Sequence, residues 1–411
     1  MAVLDPVFVR AQFPAFSEPA LRDRVFLDNA GGSYPCRFVV DRLGRFYRER
    51  KMQPYGPAEP SRLGGLEMDE ARSRLAAMMG VAPDELCFGP STSANTYVLA
   101  QAFGAWLPAG AAVVVTDQDH EANSGVWRRM AAARGLELRE WRLDPDSGCL
   151  DPAGLARLLD DRVRLVCFPH ASNIVGAVNP VTAICEMVRA AGAVTCVDGV
   201  SYAPHGLPDV GGLGADIYLL STYKTWGPHQ GLMTIRRDLA MALPNQAHFF
   251  NDASPASRLS PAGPDHAQVA ACAGIADYID ALHAHHFPDR GETGPRDRAA
   301  DVHDLIRRRE AALMVPVLAR LAGRNGLRLI GPAQPSVKAP TLALAHRRPG
   351  ADLARALAAE GIMAGGGSFY ADRTLTALGI EPAHGVLRLS FLHYTTEAEL
   401  DRALDALDRV L

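Results

Sequence analysis

The sequence predicts an α/β protein with two domains: a large one built on a mostly parallel sheet, and a smaller α+β domain at the C-terminal end. Two observations support this. Between about 80 and 240, short apolar runs alternate with longer helical patterns. Beyond about 290, one long helical pattern is followed by three strand-like runs and a final helix. Alternation of the first kind indicates a parallel sheet with helices on both faces.

Six apolar runs are the strand candidates of the large domain, because each is too short for a typical helix. They read ELCFGP, AAVVVTDQ, VRLVCFP, AVTCVDG, DIYLLST and GLMTIRR. Helical patterns such as EANSGVWRRMAAARG and VTAICEMVRAAG lie between them. Sheets of this kind bind ligands at the carboxyl ends of their strands. Polar residues that directly follow these runs are therefore the candidates for a functional site.

A change in composition marks the predicted domain boundary. The stretch HFPDRGETGPRDRAA, near 288–300, concentrates proline, glycine and charge. After it come the helical pattern DVHDLIRRREAALMVPVLARLAG, the strand-like runs LRLIGP, TLALAH and VLRLSF, and the helical TEAELDRALDALDRVL. We expect a large domain over 25–290, a small domain over 291–411, and an N-terminal segment, 1–24, that packs on the small domain.

Composition excludes several classes of function. The chain has 411 residues, 48% of them hydrophobic, which is enough to bury a large core. Its formal net charge is −4 and no basic block alternates with aromatic residues, so neither nucleic acid nor a membrane surface is an expected partner. No apolar run approaches the roughly 20 residues that span a bilayer, and the start resembles no secretory signal. We expect a cytoplasmic protein.

The cysteines do not form a metal or disulfide pattern. There are seven, without a CxxC pair, and most lie inside apolar runs such as LVCFP and VTCVDG. Buried free thiols are therefore expected rather than disulfides or a zinc site. We expect no bound metal.

Lysine is rare in this chain. It occurs only at Lys51, Lys224 and Lys338, so nearly all of the 42 basic residues are arginine. Arginine keeps its proton, whereas a lysine amine can lose one and form a Schiff base with a carbonyl. Lys224 follows the strand candidate DIYLLST and precedes a Gly-Pro turn, where such an amine could act. A surface lysine without a role is the alternative.

Three further polar residues follow strand candidates. Asp198 ends VTCVDG, where a buried carboxylate needs a cationic partner. It could keep the pyridine nitrogen of pyridoxal phosphate protonated, or simply cap a helix. His120 follows AAVVVTDQD, and its flat ring could lie over the cofactor or be structural. Asn173, in PHASNIVG, could donate to the ring's 3-oxygen, although turns also favour asparagine.

A phosphate site is predicted where FGPSTSANTYVLAQAF enters a helix. Backbone N–H groups from Ser91 to about 94, including that of Ser93, and the hydroxyl of Thr92 would face an anion there. Ser221 could add a second hydroxyl. Ordinary helix capping by serine or threonine is the alternative reading.

These motifs together resemble the class V aminotransferase group of fold-type I pyridoxal-phosphate enzymes, and within it the cysteine-desulfurase-like proteins. The stretches that carry the resemblance are FLDNAGG, STSANT, DHEAN, SNIVG, VDGVSYAPHG, STYKTWGPHQG, GGGSFYA and VLRLSFLHYTTEAELD. They span nearly the whole chain. The resemblance implies a fold-type I transferase whose large domain contains a mostly parallel, seven-stranded sheet.

The resemblance also implies roles for individual residues. Lys224 would carry the Schiff base, Asp198 would contact the ring nitrogen and His120 would stack on the ring, and these three would be catalytic. The implied cofactor-binding residues are Ser91, Thr92, Ser93, His120, Asn173, Asp198, Ser201, Ser221, Tyr223 and Lys224. The implied substrate-binding residues are Ala30, Gly31, Asn173 and Arg388.

Arg388, in VLRLSF, matches the arginine that clamps a substrate α-carboxylate by two parallel hydrogen bonds. The alternative reading of Arg388 is a charge on the outward face of a strand. The other implied partners are a small amino-acid substrate and a second copy of the chain in a homodimer.

The chain departs from the desulfurase pattern at the residue that accepts sulfur. Desulfurases use a cysteine on a loop of the C-terminal domain, but the last cysteine here is Cys272 and the corresponding loop reads IMAGGGSFYADR. Only Cys36, near FLDNAGG, is left open as another acceptor. Three glycines, 365–367, would also leave more room or more loop mobility on the substrate side.

Other departures lie near the cofactor. Ser201 replaces a glutamine and Tyr223 replaces a histidine, and both changes could alter proton transfer. Gly263 stands where relatives offer a threonine to the neighbouring subunit's phosphate.

The first functional hypothesis is a β-elimination lyase, of the C–S type, that acts on an α-amino acid without persulfide transfer. The second is an aminotransferase, and racemisation or epimerisation is the third. A protein that binds the cofactor without catalysis is the remote alternative.

Overall fold

The computed structural model describes residues 2–261, 263–324 and 326–411. The strands in these residues are β1 Val25–Phe26, β2 Leu86–Gly89, β3 Ala112–Thr116, β4 Glu137–Trp141, β5 Val163–Pro169, β6 Val194–Asp198, β7 Ile217–Ser221, β8 Gly231–Ile235, β9 Leu327–Ile330, β10 Thr341–His346, β11 Ile362–Met363, β12 Gly365–Gly367 and β13 Val386–Ser390.

The helices are α1 Pro6–Arg10, α2 Arg37–Glu49, α3 Glu59–Met78, α4 Thr92–Trp106, α5 Glu121–Arg134, α6 Pro152–Ala156, α7 Val181–Ala190, α8 Val210–Leu213, α9 Arg237–Ala242, α10 His266–Ala271, α11 Ala273–His286, α12 Pro295–Leu321, α13 Gly350–Ala359, α14 Asp372–Ala377 and α15 Glu397–Val410. No helix in the described residues is long and apolar enough to cross a membrane.

The large sheet has seven strands in the order β2-β8-β7-β6-β5-β3-β4. Strand β8 alone runs against the others, because it pairs antiparallel with both β2 and β7 while the remaining pairs are parallel. The predicted α/β fold with a mostly parallel, seven-stranded sheet is therefore confirmed. All six strand candidates of the large domain form strands of this sheet.

The sequence reading missed β4, which lies at one edge of the sheet. Its residues, ELREW, are mostly polar, and only Trp141 is fully buried. An edge strand of this kind has no continuous apolar run, so a search for such runs passes over it.

Successive residues of the central strands enter two different cores. Val113 and Val115 of β3 belong to one hydrophobic cluster with α4 and α5, whereas Val114 belongs to another with α3 and α11. This alternation is the period of two expected for a strand whose two faces are both covered. Helices on both faces hold the strand ends, and hence the site, in a rigid frame.

The small sheet is antiparallel, with strands in the order β12-β13-β10-β9. The helix α12 joins the two parts of the molecule, since Val302 packs in the core beneath the large sheet and Val317 packs in the core of the small one. It begins at Pro295, inside the stretch predicted as a boundary, and proline suits a first helical position because its missing N–H would be unpaired there.

The N-terminal segment contacts both parts of the molecule. Arg10 forms a salt bridge of 2.9 Å with Glu399 of α15 and donates to the carbonyl of Tyr394. Phe8 stacks on His285 of α11, with 3.8 Å between ring centroids. The domain limits 1–24, 25–290 and 291–411 stay a prediction.

Candidate active site

The polar residues chosen from the sequence lie at one edge of the large sheet. His120 follows β3, Asn173 follows β5, Asp198 ends β6 and Lys224 follows β7. These four strands run parallel and are neighbours in the sheet, so their carboxyl ends meet at the same edge. Arg388 reaches this edge from β13 of the small sheet.

Lys224 ends a short turn, Thr222–Lys224, that leaves β7. Its side chain is buried, and its Nζ has no hydrogen-bond partner among the described residues. Burial, aided by the positive charge of Arg388, lowers the pKa of Lys224 to about 8, while Asp198 and Asp28 oppose the shift. A neutral amine is thus accessible near pH 8, which no guanidinium could offer.

Asp198 is buried at the end of β6, and one of its carboxylate oxygens accepts a hydrogen bond of 2.9 Å from the N–H of Val200. Burial raises the pKa of Asp198, and the Val200 N–H and the Lys224 charge only partly offset this. A carboxylate in this position needs a further cation nearby. A protonated ring nitrogen would meet that need.

His120 precedes α5, and its Nδ1 accepts a hydrogen bond of 3.0 Å from the N–H of Ala122. The neutral ring therefore carries its proton on Nε2. Burial, with the charges of Lys224 and Arg388, lowers the pKa of His120 to about 4, so the ring is neutral at pH 7. A flat, neutral ring can lie against another aromatic system.

The start of α4 provides two free N–H groups. The hydroxyl of Ser91 accepts from the N–H of Ala94 at 3.1 Å, and the hydroxyl of Thr92 donates to the carbonyl of Leu220 at 3.0 Å. The N–H groups of Thr92 and Ser93 find no acceptor in the described part of the chain. An anion at this helix start would supply the acceptor.

Two other residues lie next to the predicted phosphate site at the start of α4. Gly231 of β8 lies so near that a Cβ there would be 2.3 Å from the carbonyl carbon of Ser91. Ser221 is buried at the end of β7, and its carbonyl accepts from the hydroxyl of Thr225 at 3.2 Å. The start of α4 thus packs closely against the ends of β7 and β8.

Arg388 is fixed from several directions. Its Nη2 donates to Asp28 at 2.9 Å and its Nη1 donates to the carbonyl of Asn173 at 3.2 Å. The ring of Phe369 lies on its planar face, with 3.8 Å between Cζ and the ring centroid. Its Nε is buried and has no partner in the described residues. The open donor of this guanidinium can take up an oxygen of a carboxylate.

Sequence reasoning missed Asp28 and Phe369. Asp28 belongs to FLDNAGG, the stretch from which only Ala30 and Gly31 were chosen, so its signal was present. The N–H of Ala30 donates to the hydroxyl of Ser390 at 2.8 Å, and the N–H of Gly31 donates to the carbonyl of Asp28 at 3.0 Å. The FLDNAGG turn thus lies beside β13 and its arginine.

Asn173 has one satisfied and one unsatisfied group. Its Nδ2 donates to the carbonyl of Phe369 at 2.9 Å, while its Oδ1 is buried without a partner among the described residues. A buried acceptor of this kind calls for a donor from a ligand or a water molecule.

Ser201 and Tyr223 flank Lys224. Ser201 and Lys224 line the same small cavity. The ring of Tyr223 stacks on His229, with 5.0 Å between centroids, and lies 6.0 Å from the Nζ of Lys224. The roles assigned to these and the other site residues stay predictions.

The loop GGGSFYA lies against the site. Phe369 and Tyr370 both have positive φ angles, 55° and 58°, which are uncommon for residues with side chains. The carbonyl of Tyr370 accepts from the N–H of Glu121 at 2.8 Å, and its ring centroid is 5.2 Å from that of His120.

Two of the three glycines that begin this loop do not leave the empty space that the sequence suggested, whereas a Cβ on Gly367 would meet no described atom within 4 Å. A Cβ on Gly366 would lie 2.2 Å from the carbonyl oxygen of Gly350, and one on Gly365 would lie 2.7 Å from the ring of Phe369. Small residues are required here because β12 packs directly on the start of α13 and on the loop. The expectation of more room is therefore wrong at Gly365 and Gly366 but not at Gly367, and the alternative of more loop mobility stays a prediction.

All seven cysteines are free thiols, and only Cys149 is more than slightly exposed. Burial raises the pKa of Cys36 to about 12, so this thiol is neither accessible nor ionised. Cys149 lies in the turn between β4 and α6. No thiol lies on the loop 365–371. Among the described residues, no group of His, Cys, Asp and Glu side chains could hold a metal ion.

The family model described as aminotransferase class V matches residues 25–249 and 302–403 of the chain. The protein belongs to the class V aminotransferase family. The matched ranges contain every residue placed at the site above. As an enzyme of this family, it uses pyridoxal phosphate as its cofactor.

Two curated relatives match this chain over nearly its full length. The aminotransferase-like protein FGM3 of Gibberella zeae is 30% identical over 98% of both chains. A cysteine desulfurase of Pectobacterium carotovorum is 29% identical over 98% of this chain and 97% of its own.

Solved structures show the same fold. The cysteine desulfurase CsdA of Escherichia coli superposes with a TM-score of 0.83 and 22% identity, over 99% of this chain and 98% of its own. A cysteine desulfurase of Thermococcus onnurineus gives a TM-score of 0.84 at 22% identity, over 100% and 99%. At this identity the likeness concerns the fold alone.

Proposed function

We propose that this class V enzyme is a C–S lyase that eliminates a β-substituent from an α-amino acid and transfers no sulfur to a cysteine. The observation that carries the proposal is the pairing of a buried, deprotonatable amine at Lys224, unpaired within the described residues, with a loop beside the site that contains no thiol. The amine supplies the base that elimination needs. The loop offers only Ser368 and Tyr370 as reactive side chains, and neither can accept sulfur as a thiolate does.

The residues at the sheet edge fit pyridoxal phosphate. The N–H groups of Thr92 and Ser93 would hold its phosphate, the Asp198 carboxylate would face the ring nitrogen, and the His120 ring would cover one face of the pyridine. When bound, the cofactor withdraws electrons from the substrate's α-carbon. Asp198 would maintain this withdrawal by keeping a proton on the ring nitrogen.

Arg388 would bind and orient the substrate. Its Nε has no partner among the described residues, and its other nitrogens donate to Asp28 and to the carbonyl of Asn173, which holds the guanidinium at the site. A carboxylate on this arginine would bring the α-carbon towards Lys224. The neutral Nζ would then take the α-proton.

The leaving group would depart as a thiol. The bond between the β-carbon and sulfur breaks, the sulfur leaves with the bonding electrons and takes up a proton, and water releases the remaining carbons as pyruvate and ammonium. A wide cavity lined by Glu121, Ser368 and Tyr370 adjoins the site and would accommodate a sulfur substituent.

An aminotransferase is the second candidate. The observation in its favour is the full-length relative at 30% identity, which is described as aminotransferase-like. Transamination would use the same base and the same carboxylate contact, but Lys224 would hold and return the α-proton without loss of a β-substituent. Racemisation or epimerisation is a third candidate, and binding of the cofactor without turnover is the remote one.

A homodimer in the cytoplasm completes the proposal. The segment 260–266 has the place in the chain that relatives use for contact with the neighbouring phosphate site. Within it Gly263 has no atom within 4 Å of a Cβ position, and Ala262 lies outside the described residues. Sedimentation at working concentration should give about twice 44.1 kDa. A fully active monomer would contradict the dimer.

The test of function is a product assay with S-substituted cysteines and with cysteine itself. Pyruvate, ammonium and free thiol in equal amounts, with no protein persulfide by mass spectrometry, are expected. Alanine together with a persulfide on any cysteine would overturn the lyase. A keto acid with pyridoxamine phosphate would identify the aminotransferase instead. The variant Ser368→Cys is a matched control, because it restores a thiol to the loop and shows whether the persulfide assay can detect one there.

A further inference from the structure

A buried histidine–glutamate pair lies behind the candidate site. His205 ends the short turn Ala203–His205 after β6, and its Nδ1 is 3.0 Å from Oε2 of Glu310 in the middle of α12. Glu310 is completely buried and His205 nearly so. A carboxylate removed from water this completely is costly unless a partner shares its charge or supplies a proton.

The pair and Lys224 meet at one small enclosed cavity. His205 and Lys224 both line it, together with Ala30, Ser201 and Ser390. The cavity has space for about one water molecule, and its lining supplies several polar atoms that could hold that water in place.

Polar atoms of the two residues that line the cavity, and of the glutamate behind them, are unpaired within the described residues. The Nε2 of His205 and the Nζ of Lys224 make no hydrogen bond within the described residues. The Oε1 of Glu310 is likewise without a partner in the described part of the chain. A histidine held at Nδ1 by a carboxylate, with Nε2 directed at a reacting group, can accept a proton at Nε2 while the carboxylate stabilises the resulting cation.

We propose that His205, held by Glu310, exchanges a proton with the amine of Lys224 through one water molecule in the cavity between them. This inference rests on the role proposed for Lys224. Neither His205 nor Glu310 was selected from the sequence as a site residue, and both act here through another residue, as positioning and proton-holding groups.

The exchange balances without any further reactant. The ammonium of Lys224 gives one proton to the cavity water, and that water gives one of its own to Nε2 of His205. An ammonium and a neutral imidazole become an amine and an imidazolium, with no change in total charge. Glu310 favours the second state, because its carboxylate lies against the new cation. The reverse transfer returns the proton to Lys224 after the amine has acted.

Other charged and titratable groups surround the two ends of this path. Around Lys224 they are Asp28, His120, Asp198, Tyr223 and Arg388. Around the His205–Glu310 pair they are Arg307, whose Nη1 is 3.9 Å from the carboxylate, the buried His393, and Tyr202, His303 and Tyr394. Burial lowers the pKa of His393 to about 3, so it stays neutral and does not compete for the proton.

The chain offers a matched control for this pair. His283 is also buried, and its Nε2 lies 3.2 Å from a carboxylate oxygen of Asp301. It does not line the cavity of Lys224. His283→Gln therefore removes a buried histidine–carboxylate contact of the same kind without touching the proposed path.

The experiment measures the reactivity of the Lys224 amine directly. Full-length protein freed of cofactor with hydroxylamine is trace-labelled with acetic anhydride from pH 6 to pH 10, and Lys224 is compared by mass spectrometry with exposed Lys51. In the wild type, Lys224 should still be acetylated in the acidic part of this pH range, because its proton can reside on His205. At pH 6 the reactivity of Lys224 should fall about threefold or more in both His205→Gln and Glu310→Gln. In His283→Gln it should stay as in the wild type.

An unchanged labelling curve in both folded variants would overturn the proposal. A loss equal to that in His283→Gln would also overturn it, since it would reflect general loosening. If the variants do not fold, Lys224→Met supplies the reciprocal test: the titration of His205, followed by deuterium exchange at its ring C2, must move when the amine is removed. No movement would overturn the proposal. Failure of the lyase assay leaves these readouts unaffected, so the two proposals can fail separately.

Discussion

Two buried lysines in this chain differ in what surrounds their amines. Lys338 is completely buried, and its Nζ donates to the carbonyl of Val175 at 2.6 Å and to that of Ile330 at 3.4 Å. Burial lowers its pKa to about 7, even further than that of Lys224. Lys224 has no such acceptors within the described part of the chain, and the charged residues Asp198 and Arg388 lie near it instead. A lowered pKa is therefore common to both lysines. Lys224, the catalytic candidate, differs in that its amine makes no hydrogen bond to the described residues and lies near charged side chains.

The two lysines also differ in the contacts that their surroundings make: Lys338 lies in a structural contact, and Lys224 lies at the candidate site. Lys338 ties the small domain to the loop that carries Asn173, because the segment around it pairs with that loop and its amine caps the carbonyl of Val175. Its hydrogen bonds are all made within the protein. At the site, the Nε of Arg388 and the Oδ1 of Asn173 are buried without a partner among the described residues. Together with the Nζ of Lys224, which makes no hydrogen bond to those residues, they leave three polar atoms for a ligand.

The largest effect is expected from Lys224→Ala. The variant should lose roughly a thousandfold or more in turnover, because it lacks both the covalent attachment and the base. Steady-state assays of product release would measure this. Lys51→Ala, at an exposed lysine, is the control and should behave as the wild type. Equal activity in Lys224→Ala and the wild type would remove the distinction between the two buried lysines.

Asp198→Asn should have the next largest effect. A neutral amide cannot hold a proton on the ring nitrogen, and a charge-assisted hydrogen bond of this kind contributes roughly 1.5–3 kcal/mol. That corresponds to a loss of about 10- to 100-fold in kcat. The variant should still fold and bind some cofactor, as absorbance would show. Full turnover in Asp198→Asn would mean that the charge beside Lys224 has no catalytic role.

Lys338→Met should affect stability rather than chemistry. Methionine fills much of the same space but leaves the carbonyl of Val175 without its donor, which should cost roughly 1–3 kcal/mol in free energy of unfolding. Denaturant titration would measure this loss. Turnover per folded molecule should change far less than in Lys224→Ala. A catalytic defect as large as that of Lys224→Ala, with stability unchanged, would reverse the roles assigned to the two lysines.

The smallest effect is a dependence of stability on pH. The folded pKa of Lys338, about 7, lies below the ordinary value of 10.5, so the unfolded chain binds more protons between these values. The contribution of this lysine to the free energy of unfolding therefore rises as the pH increases from about 7 to about 10. The stability difference between the wild type and Lys338→Met should grow over this interval. A difference that shrinks would show that the amine is charged when buried.

The sequence predicted the parts of the site that depend on local order. Lys224, Asp198, His120 and Asn173 each follow a strand, and the parallel topology brings their positions together. The contact of Arg388 with Asp28 could not be seen in this way, because 360 positions separate the two residues and no spacing rule relates them.

Other features of the molecule could not be predicted from the sequence, because they depend on contacts in the folded structure. The strand β4 is polar because it forms an exposed edge, so its pattern is not that of a core strand. Glu310 lies among the otherwise apolar buried residues of α12, where a carboxylate is unexpected. Its contact with His205 is visible only in the structure. The glycines 365–367 suggested open space, whereas neighbouring atoms fill the space beside Gly365 and Gly366.

The most direct test of the central claim is the site of cofactor attachment. The purified protein, loaded with pyridoxal phosphate, is reduced with borohydride, digested and mapped by mass spectrometry. The yellow colour should bleach, and the reduced pyridoxyl group should be found on Lys224, with none on Lys338 although its pKa is at least as low. An adduct on Lys338 or Lys51, or none at all, would contradict the account.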